Sequence, residues 1–330
     1  MQGLVDKREV HKHHEETVLL RSHEMVSSHA MRFIAGWQRL HERFDSASAT
    51  PDPGLVAETL RQATIALAHK GFGVPFGWAF LMDRMTVHIT APVPHGAGGP
   101  AVSLEARAER VATRGSRLRG LVSHVVFGVE GRQIATGRGE LRVIDDRLYE
   151  RLRGDRSHLT NLDLPPRNLR DSPALHSSPH GLRGREWRVV FDPRDVLYFD
   201  HPVDHVPGML LFQAARKAAT QFVADAELVG FDGEYHRFVE LSAPILVRIE
   251  SSRPLDALRR EVVVGVYDAD TLAMSSRVIM ALGGLKRSGL DQFGGSENGP
   301  MLRIANHSWQ DDLPHPSESL EKVRAAGRGD

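Results

Sequence analysis

Two stretches of the chain combine a Pro-Gly pair with a following run that is rich in alanine and leucine. The first run, LVAETLRQATIALAHKGFG, follows Pro53-Gly54, and the second, MLLFQAARKAATQFVADAELVGF, follows Pro207-Gly208. Proline is favoured in the first turn of a helix, and each run is long enough for about four helical turns. The pattern therefore predicts one long, largely apolar helix in each half of the chain.

Each predicted helix is followed by segments in which apolar and polar residues alternate, as they do in half-buried strands. After the first helix these segments are RMTVHIT, SHVVFGVEG and QIATGRGELRVI; after the second they are SAPILVRIE, REVVVGVYD and MSSRVIMAL. A helix that is apolar on nearly every side has to be covered on most of them, and a curved antiparallel sheet can do this. We therefore predict an α+β fold in two similar halves, with two antiparallel sheets that are each wrapped around a long central helix.

The composition changes between the two halves. The stretch LPPRNLRDSPALHSSPHGLRGR, between about Asp163 and Arg185, is rich in proline, serine and charge and has no apolar period, which is typical of a linker. The end of the chain is also polar, and we expect it to fray. The predicted units are a first repeat at 1–160, a linker at 161–185, a second repeat at 186–310 and a polar tail at 311–330.

The few polar residues of the two helices share one face. On the first helix they are Glu58, Arg61 and Gln62, at i, i+3 and i+4. An offset of 155 residues takes these three to the polar residues of the second helix, which are Gln213, Arg216 and Lys217. Two interpretations are open. The stripes face solvent, or they line a shared pocket that holds a polar substrate group, since buried charge is costly unless it is paired or lines a cavity.

A second polar run, FDHPVDHVPGM, comes directly before the second helix. It holds two Asp-His pairs, Asp200-His201 and Asp204-His205. Histidine and carboxylate suit a metal site, but both pairs lie in one short loop with no remote ligand evident, so we predict no metal here. The alternatives are a structural turn that caps the helix, or an acid–base loop at the mouth of a pocket, because histidine titrates near neutral pH and a neighbouring aspartate can orient it.

A weaker cluster precedes the first helix. The segment GWQRLH contains Trp37, Arg39 and His41. Such a cluster either packs at the edge of the fold or contributes to substrate binding, and both interpretations stay open.

Charge and composition exclude several classes of function. Lysine and arginine total 42, as do aspartate and glutamate, so no basic surplus indicates nucleic acid as a partner. The chain has no cysteine, which excludes disulfides, a thiolate nucleophile and Cys-ligated metals. No apolar run approaches the ~20 residues that span a bilayer, and the opening MQGLVDKREVHKHHEE lacks the apolar core of a signal peptide. We therefore expect a cytoplasmic protein without a membrane segment.

Several segments together resemble one family. FDHPVDHVPGMLLFQAARKAA is similar to the second-repeat signature of the A-factor biosynthesis (AfsA-type) γ-butyrolactone synthases. VHKHHEETVLL, GWQRLH, and ETLRQA followed by HKGFGVPFGWAFLM resemble the first-repeat signature. The resemblance implies a tandem hotdog fold that works without a cofactor, as a monomer or a homodimer.

The activity that the resemblance implies is an acyl transfer. A β-ketoacyl group moves from an acyl-carrier-protein thioester to the hydroxyl of dihydroxyacetone phosphate, and the ester condenses to a phosphorylated butenolide. Two other functions compete with this one. They are a hotdog thioesterase or dehydratase that acts on acyl thioesters, and a non-catalytic protein that binds an acyl group or a lactone.

The resemblance also assigns roles to residues. Glu58 matches the glutamate of the related dehydratase pattern and is the first choice for the general base, with burial raising its pKa. Gln62 matches the glutamine one turn later, while Gln213 and Lys217 depart from the family pattern in the second helix. His201 or His205, with Asp204, is the second choice for the base, and His41 is a distant match. Arg61 and Arg216, assisted by Lys217, are expected to hold the phosphate, unless each is paired with a neighbouring carboxylate.

Overall fold

The computed structural model describes residues 2–37, 50–93, 101–158, 172–178 and 184–283. Both predicted long helices are present, Pro53–Phe72 (α1) and Gly208–Phe222 (α3), with a short helix, Asp146–Arg153 (α2), between them. The first residues of α1 and α3 are 155 positions apart, which is the offset that relates their polar residues. The side chain of Asp52 caps α1 by accepting from the backbone N–H of Gly54 at 2.8 Å.

Strands lie on both sides of the long helix in each half of the chain. In the first half they are Gln2–Leu4 (β1), Leu20–Ser27 (β2), Ala30–Gly36 (β3), Ala79–Ile89 (β4), Ala101–Arg114 (β5), Arg117–Val129 (β6) and Arg132–Ile144 (β7). In the second half they are Ala174–Ser177 (β8), Glu186–Val190 (β9), Ala226–Tyr235 (β10), Ile245–Pro254 (β11), Arg259–Asp268 (β12) and Thr271–Leu282 (β13). Every pairing is antiparallel, so the predicted α+β class is confirmed.

The strands of the described residues form one sheet of 13 strands rather than the two predicted sheets. Its order is β1-β2-β3-β5-β6-β7-β4-β10-β13-β12-β11-β9-β8. The halves meet where Gly230–Glu234 of β10 pairs with Arg84–His88 of β4, and Arg84 binds Asp232 across this junction at 2.8 and 2.6 Å. Pairing β4 with β10 satisfies backbone groups that would otherwise lie at two open sheet edges.

Helix α1 is enclosed along almost its whole length. From Pro53 to His69 every residue except Arg61 is buried. The sheet approaches it closely at Gly137 of β7, where a Cβ atom would lie 2.8 Å from Leu60 Cδ2, so only glycine fits without a shift of that leucine. A sheet wrapped around a buried helix is what the apolar pattern predicts.

The predicted linker contains part of the sheet. Ala174–Ser177 forms β8 and pairs with β9, although the segment shows no apolar period. The predicted tail lies outside the described residues. Among the helices that the structure describes, none combines the length and apolarity that crossing a bilayer requires.

Candidate active site

The polar residues of α1 are enclosed rather than exposed. Glu58 is 4% exposed, and Gln62 is fully buried. Glu58 accepts hydrogen bonds from Arg61, from Nε at 2.9 Å and from Nη2 at 2.8 Å, and its Oε1 also accepts from Gln62 Nε2 at 2.9 Å. A solvent-facing stripe is therefore wrong for this helix. Arg61, whose side chain is 19% exposed, is the member that reaches the outside.

The N-terminal segment, residues 7–19, packs against this face of α1. Gln62 binds it twice, with Oε1 accepting from the N–H of Leu19 at 2.9 Å and Nε2 donating to the carbonyl of Thr17 at 2.9 Å. In the same segment Lys12, which is 4% exposed, places its Nζ 3.3 Å from Oε1 of Glu58. Two cations, Lys12 and Arg61, thus share one buried carboxylate.

Lys12 is absent from the predicted site. The run HKHH around it marks the segment as polar, but the spacing of that run does not tell which side chain points inward. Tertiary contacts decide this, because Lys12 Nζ also lies 3.5 Å from the carbonyl of Leu197 in the other half of the chain.

The pKa of Glu58 moves opposite to the prediction. Burial by itself raises this pKa, but the positive charges of Arg61 and Lys12 and the hydrogen bonds from Arg61 and Gln62 lower it to about 2. The expectation that burial brings Glu58 towards the working pH of a general base is therefore wrong. The carboxylate acts as the counter-ion of two cations.

The loop before α3 brings Asp200 and His201 to the same place. Asp200 is buried and accepts from the backbone N–H groups of His13 and His14 and from Thr17 Oγ1, the last at 2.8 Å. The His201 ring lies 5.4 Å from that of His13, centroid to centroid. The site therefore combines a helix of the first half with a loop of the second.

The imidazole of His201 is uncharged at neutral pH. Burial lowers its pKa to about 4, and the positive charges of Arg61 and Lys12 act in the same direction. Its Nδ1 is buried and has no hydrogen-bond partner among the described residues. Because buried polar atoms are nearly always hydrogen-bonded, this nitrogen marks a position where a ligand would complete the site.

Two further histidines adjoin this cluster and are also absent from the prediction. His69 Nδ1 donates to the carbonyl of Val74 at 2.7 Å, so its Nε2 accepts from His11 Nε2 at 2.9 Å. Burial lowers the pKa of His11 to about 3, and the positive charge of Arg61 acts in the same direction. Burial also lowers the pKa of His69. Both rings are thus neutral and fixed in one tautomer beside the site.

The polar residues of α3 serve another purpose. Arg216 donates to both carboxylate oxygens of Asp52, at 2.8 and 2.7 Å, and more weakly to Gln213 Oε1 at 3.4 Å. Lys217 donates to the carbonyl of Pro173 at 2.8 Å. The structure therefore shows the ion-pair alternative for Arg216, as it does for Arg61, which is paired with Glu58. The Arg216 pair ties α3 to the residue that caps α1. The expected meeting of both stripes around one cavity is not what these contacts show.

The second Asp-His pair contacts a different set of residues from the first. Asp204 is buried and accepts from Arg153 Nε at 2.7 Å, from the Tyr149 hydroxyl, and from His205 Nδ1 at 2.7 Å. Although burial raises the pKa of Asp204, these three donors hold it well below its usual range. The two Asp-His pairs of FDHPVDHVPGM therefore belong to two separate networks.

Of the remaining predicted residues, Trp37 is the one that the structure describes. Trp37 is buried, and its indole Nε1 donates to Thr59 Oγ1 at 3.0 Å, which is the packing alternative. Arg39 and His41 lie outside the described residues. Within the described ranges no group of three or more histidine, aspartate or glutamate side chains could hold a metal ion.

Comparisons with known proteins agree with this architecture. A family model described as the A-factor biosynthesis hotdog domain matches residues 2–145 and 170–266. A relative from Streptomyces virginiae is 31% identical over 288 residues, which are 83% of this chain and 97% of that protein. Another, from Streptomyces coelicolor, is 34% identical over 211 residues, which are 60% of this chain and 66% of that protein. Both relatives are described as 2-oxo-3-(phosphooxy)propyl 3-oxoalkanoate synthases.

Similarity to solved structures is lower. An acyl-ACP thioesterase from Bacteroides thetaiotaomicron is 11% identical and aligns with 76% of this chain and 96% of that protein, with a TM-score of 0.44. A likeness of this degree carries no inference about chemistry. The family match and the identity over most of the chain are decisive, and the chain belongs to the AfsA family of A-factor biosynthesis hotdog proteins.

Proposed function

We propose that the chain is a cytoplasmic acyltransferase that moves a β-ketoacyl group from an acyl-carrier-protein thioester to dihydroxyacetone phosphate. The names of its relatives describe such an ester, a 3-oxoalkanoate of a 2-oxo-3-(phosphooxy)propyl alcohol. The observation that carries the proposal is the buried Nδ1 of His201, which accepts no hydrogen bond from the described part of the chain and lies beside Lys12, Glu58 and Arg61.

His201 is the general base of this proposal. A neutral imidazole can take the hydroxyl proton of dihydroxyacetone phosphate while the hydroxyl oxygen bonds to the thioester carbon. The carbon–sulfur bond then breaks, and His201 returns the proton to the leaving thiolate. The products are the ester and the free carrier-protein thiol. The methylene between the two carbonyls of the ester can next attack the ketone and lose water, giving the phosphorylated butenolide.

The start of α3 supplies donors for the oxyanion. Its N-cap is Pro207, which makes no side-chain capping hydrogen bond, whereas the carboxylate of Asp52 closes the start of α1. Backbone N–H groups at an uncapped helix start stabilise negative charge. A Cβ atom at Gly208 would lie 3.1 Å from the Tyr235 ring, so a larger residue here would need that ring to shift. This helix start follows His201 by seven residues.

The cations of the site recognise the phosphate. The Lys12 side chain is 4% exposed and that of Arg61 is 19% exposed, so we assign the direct contact to Arg61. Glu58 holds the Arg61 guanidinium through Nε and Nη2, which fixes its plane. Because helix and loop come from the two halves of one chain, a monomer contains the whole site.

The decisive experiment uses the purified protein with a β-ketoacyl carrier protein and dihydroxyacetone phosphate. Mass spectrometry should detect the ester, or the butenolide formed from it, together with the free carrier-protein thiol. Free β-keto acid formed equally with and without dihydroxyacetone phosphate would identify a thioesterase instead. Thioester that binds but is not consumed would identify a binding protein.

Replacing Arg61 with glutamine should reduce the preference for the phosphorylated acceptor. We expect the ratio of kcat/KM for dihydroxyacetone phosphate to that for dihydroxyacetone to fall by roughly 10-fold or more, the value of one charge-assisted contact. The equivalent change on α3, Arg216→Gln, is the matched control, because Arg216 is likewise paired with a carboxylate, but with Asp52 rather than with Glu58 of the site. An unchanged ratio for Arg61→Gln, or an equal fall for Arg216→Gln, would refute the assignment.

A further inference from the structure

We propose that α2 is a positioning element for His201, and that Tyr149 and Arg153 act by holding Asp204. This inference rests on the proposed function, in which His201 is the base. Neither residue touches the site itself. Both act through the loop that carries His201.

Helix α2 makes few contacts of the apolar kind, and its polar contacts come mainly from Tyr149 and Arg153. It has only eight residues, and Leu152, one of its two leucines, is 50% exposed. Tyr149 and Arg153, one turn apart, point to the same partner, because both donate to the carboxylate of Asp204. So short a helix gains little from apolar burial, and its specific contribution is to present this pair of donors.

Arg153 makes an unusually complete set of contacts. Its side chain is 2% exposed; Nε donates to Asp204 Oδ2 at 2.7 Å, and Nη2 donates to the Asp204 backbone carbonyl at 2.9 Å. Nη1 and Nη2 donate to Glu240 at 3.0 Å each, and the guanidinium lies 4.5 Å from the centre of the Phe238 ring. One buried arginine thus fixes both the side chain and the backbone of Asp204.

His201 lies between two such anchors. On one side Asp200 is fixed by the N-terminal segment, and on the other Asp204 is fixed by α2. The backbone N–H of Val206 also donates to the carbonyl of Val239 at 2.8 Å. Since no described residue holds Nδ1 of His201 by a hydrogen bond, the anchors of the loop determine where that nitrogen lies.

The test compares Tyr149→Phe and Arg153→Gln with Arg119→Gln. Tyr149→Phe removes one hydroxyl and tests the proposal even where Arg153→Gln, which breaks a buried pair, prevents folding. Arg119 is the matched control because it binds Asp145, the N-cap of α2, at 3.3 Å and makes no contact with Asp204. Four quantities are measured: kcat and KM for dihydroxyacetone phosphate, the pH profile of kcat/KM, and hydrogen exchange of residues 197–206.

We expect Tyr149→Phe to lower kcat by roughly 10- to 100-fold with little change in KM, because a displaced reacting group costs that much. Exchange of residues 197–206 should become faster. A loosened loop also admits water to His201, so the acid limb of the profile should move from about pH 4 towards the ordinary value. The groups that act on His201 are Arg61 of α1, His11, Lys12 and His13 of the N-terminal segment, and Asp200 of its own loop.

A wild-type kcat and acid limb in Tyr149→Phe would overturn the inference. So would a lower kcat with an unchanged acid limb and unchanged exchange, because the loss would then arise elsewhere. An equal response of Arg119→Gln would show a general loosening of α2. If the unaltered protein forms no ester, the proposed function fails, while the exchange measurement still tells whether α2 holds the loop.

Discussion

Replacing His201 with asparagine should lower kcat by roughly 10²–10⁴-fold, the usual contribution of a general base. Asparagine keeps a polar side chain of similar reach but cannot accept the hydroxyl proton. In the unaltered enzyme kcat/KM should stay level from neutral pH down to about pH 5 and fall as His201 is protonated near its pKa of about 4. Steady-state ester formation across this range measures both effects.

His14 offers a matched control for this substitution. It belongs to the same N-terminal segment as His13, but its side chain is 36% exposed. His14→Asn should keep nearly the full kcat. His205→Asn distinguishes between the two Asp-His pairs as the source of the base, because His205 belongs to the other network, where its Nδ1 donates a hydrogen bond to Asp204. If His205→Asn abolished turnover while His201→Asn retained it, the base would have to be assigned to the second Asp-His pair.

Replacing Glu58 with glutamine should destabilise the fold by about 3–5 kcal/mol at pH 7, because Lys12 and Arg61 would lose the carboxylate that they share. The side chains have nearly the same shape, so the loss reports charge rather than packing. Denaturant-induced unfolding measures it. Glu109→Gln is the control, since Glu109 pairs with Arg138 near the surface and should matter by less than about 1 kcal/mol.

The unaltered protein and Glu58→Gln should also differ in how their free energies of unfolding depend on pH. The pKa of Glu58 is about 2 in the folded chain, below its ordinary value of 4.5. Its contribution is therefore complete above about pH 4.5 and is lost as the pH falls through 2. The contribution of ionised Glu58 to the free energy of unfolding is on the order of 3 kcal/mol. The difference in unfolding free energy between the unaltered protein and Glu58→Gln should thus close on acidification. A difference that stayed constant from pH 5 to pH 2 would show that Glu58 is not held as a charged group.

Much of the framework follows from local pattern. The Pro-Gly pairs and the alanine-rich and leucine-rich runs predicted α1 and α3, and the alternating segments predicted strands around them. Strand β8 was missed because its four residues lie in a stretch without an apolar period. The single sheet was also not predictable from pattern, since the pairing of β4 with β10 joins strands about 150 residues apart, and alternation does not specify a partner.

Some polar residues of the site could be selected from the sequence pattern, and others could not. Glu58 and Gln62 could be selected because a buried helix rarely carries charge, and His201 because it lies beside an aspartate before a helix. Lys12 and His11 could not be selected, since their position depends on how the N-terminal segment folds back onto α1. Arg153 and Tyr149 are likewise brought to Asp204 only by the tertiary fold.

By itself, the sequence determined the two helices, the α+β class and the residue types available for chemistry, because hydrophobic periodicity and residue identity act locally along the chain. The tertiary structure alone decided that one Asp-His pair adjoins Glu58 while the other faces α2, and that Arg216 binds Asp52. It also decided the direction in which the Glu58 pKa shifts. That direction depends on Arg61, one helical turn from Glu58, and on Lys12, which is distant from Glu58 along the chain. Electrostatic energy depends on distance through space and on burial, and neither quantity is a property of a local stretch of sequence.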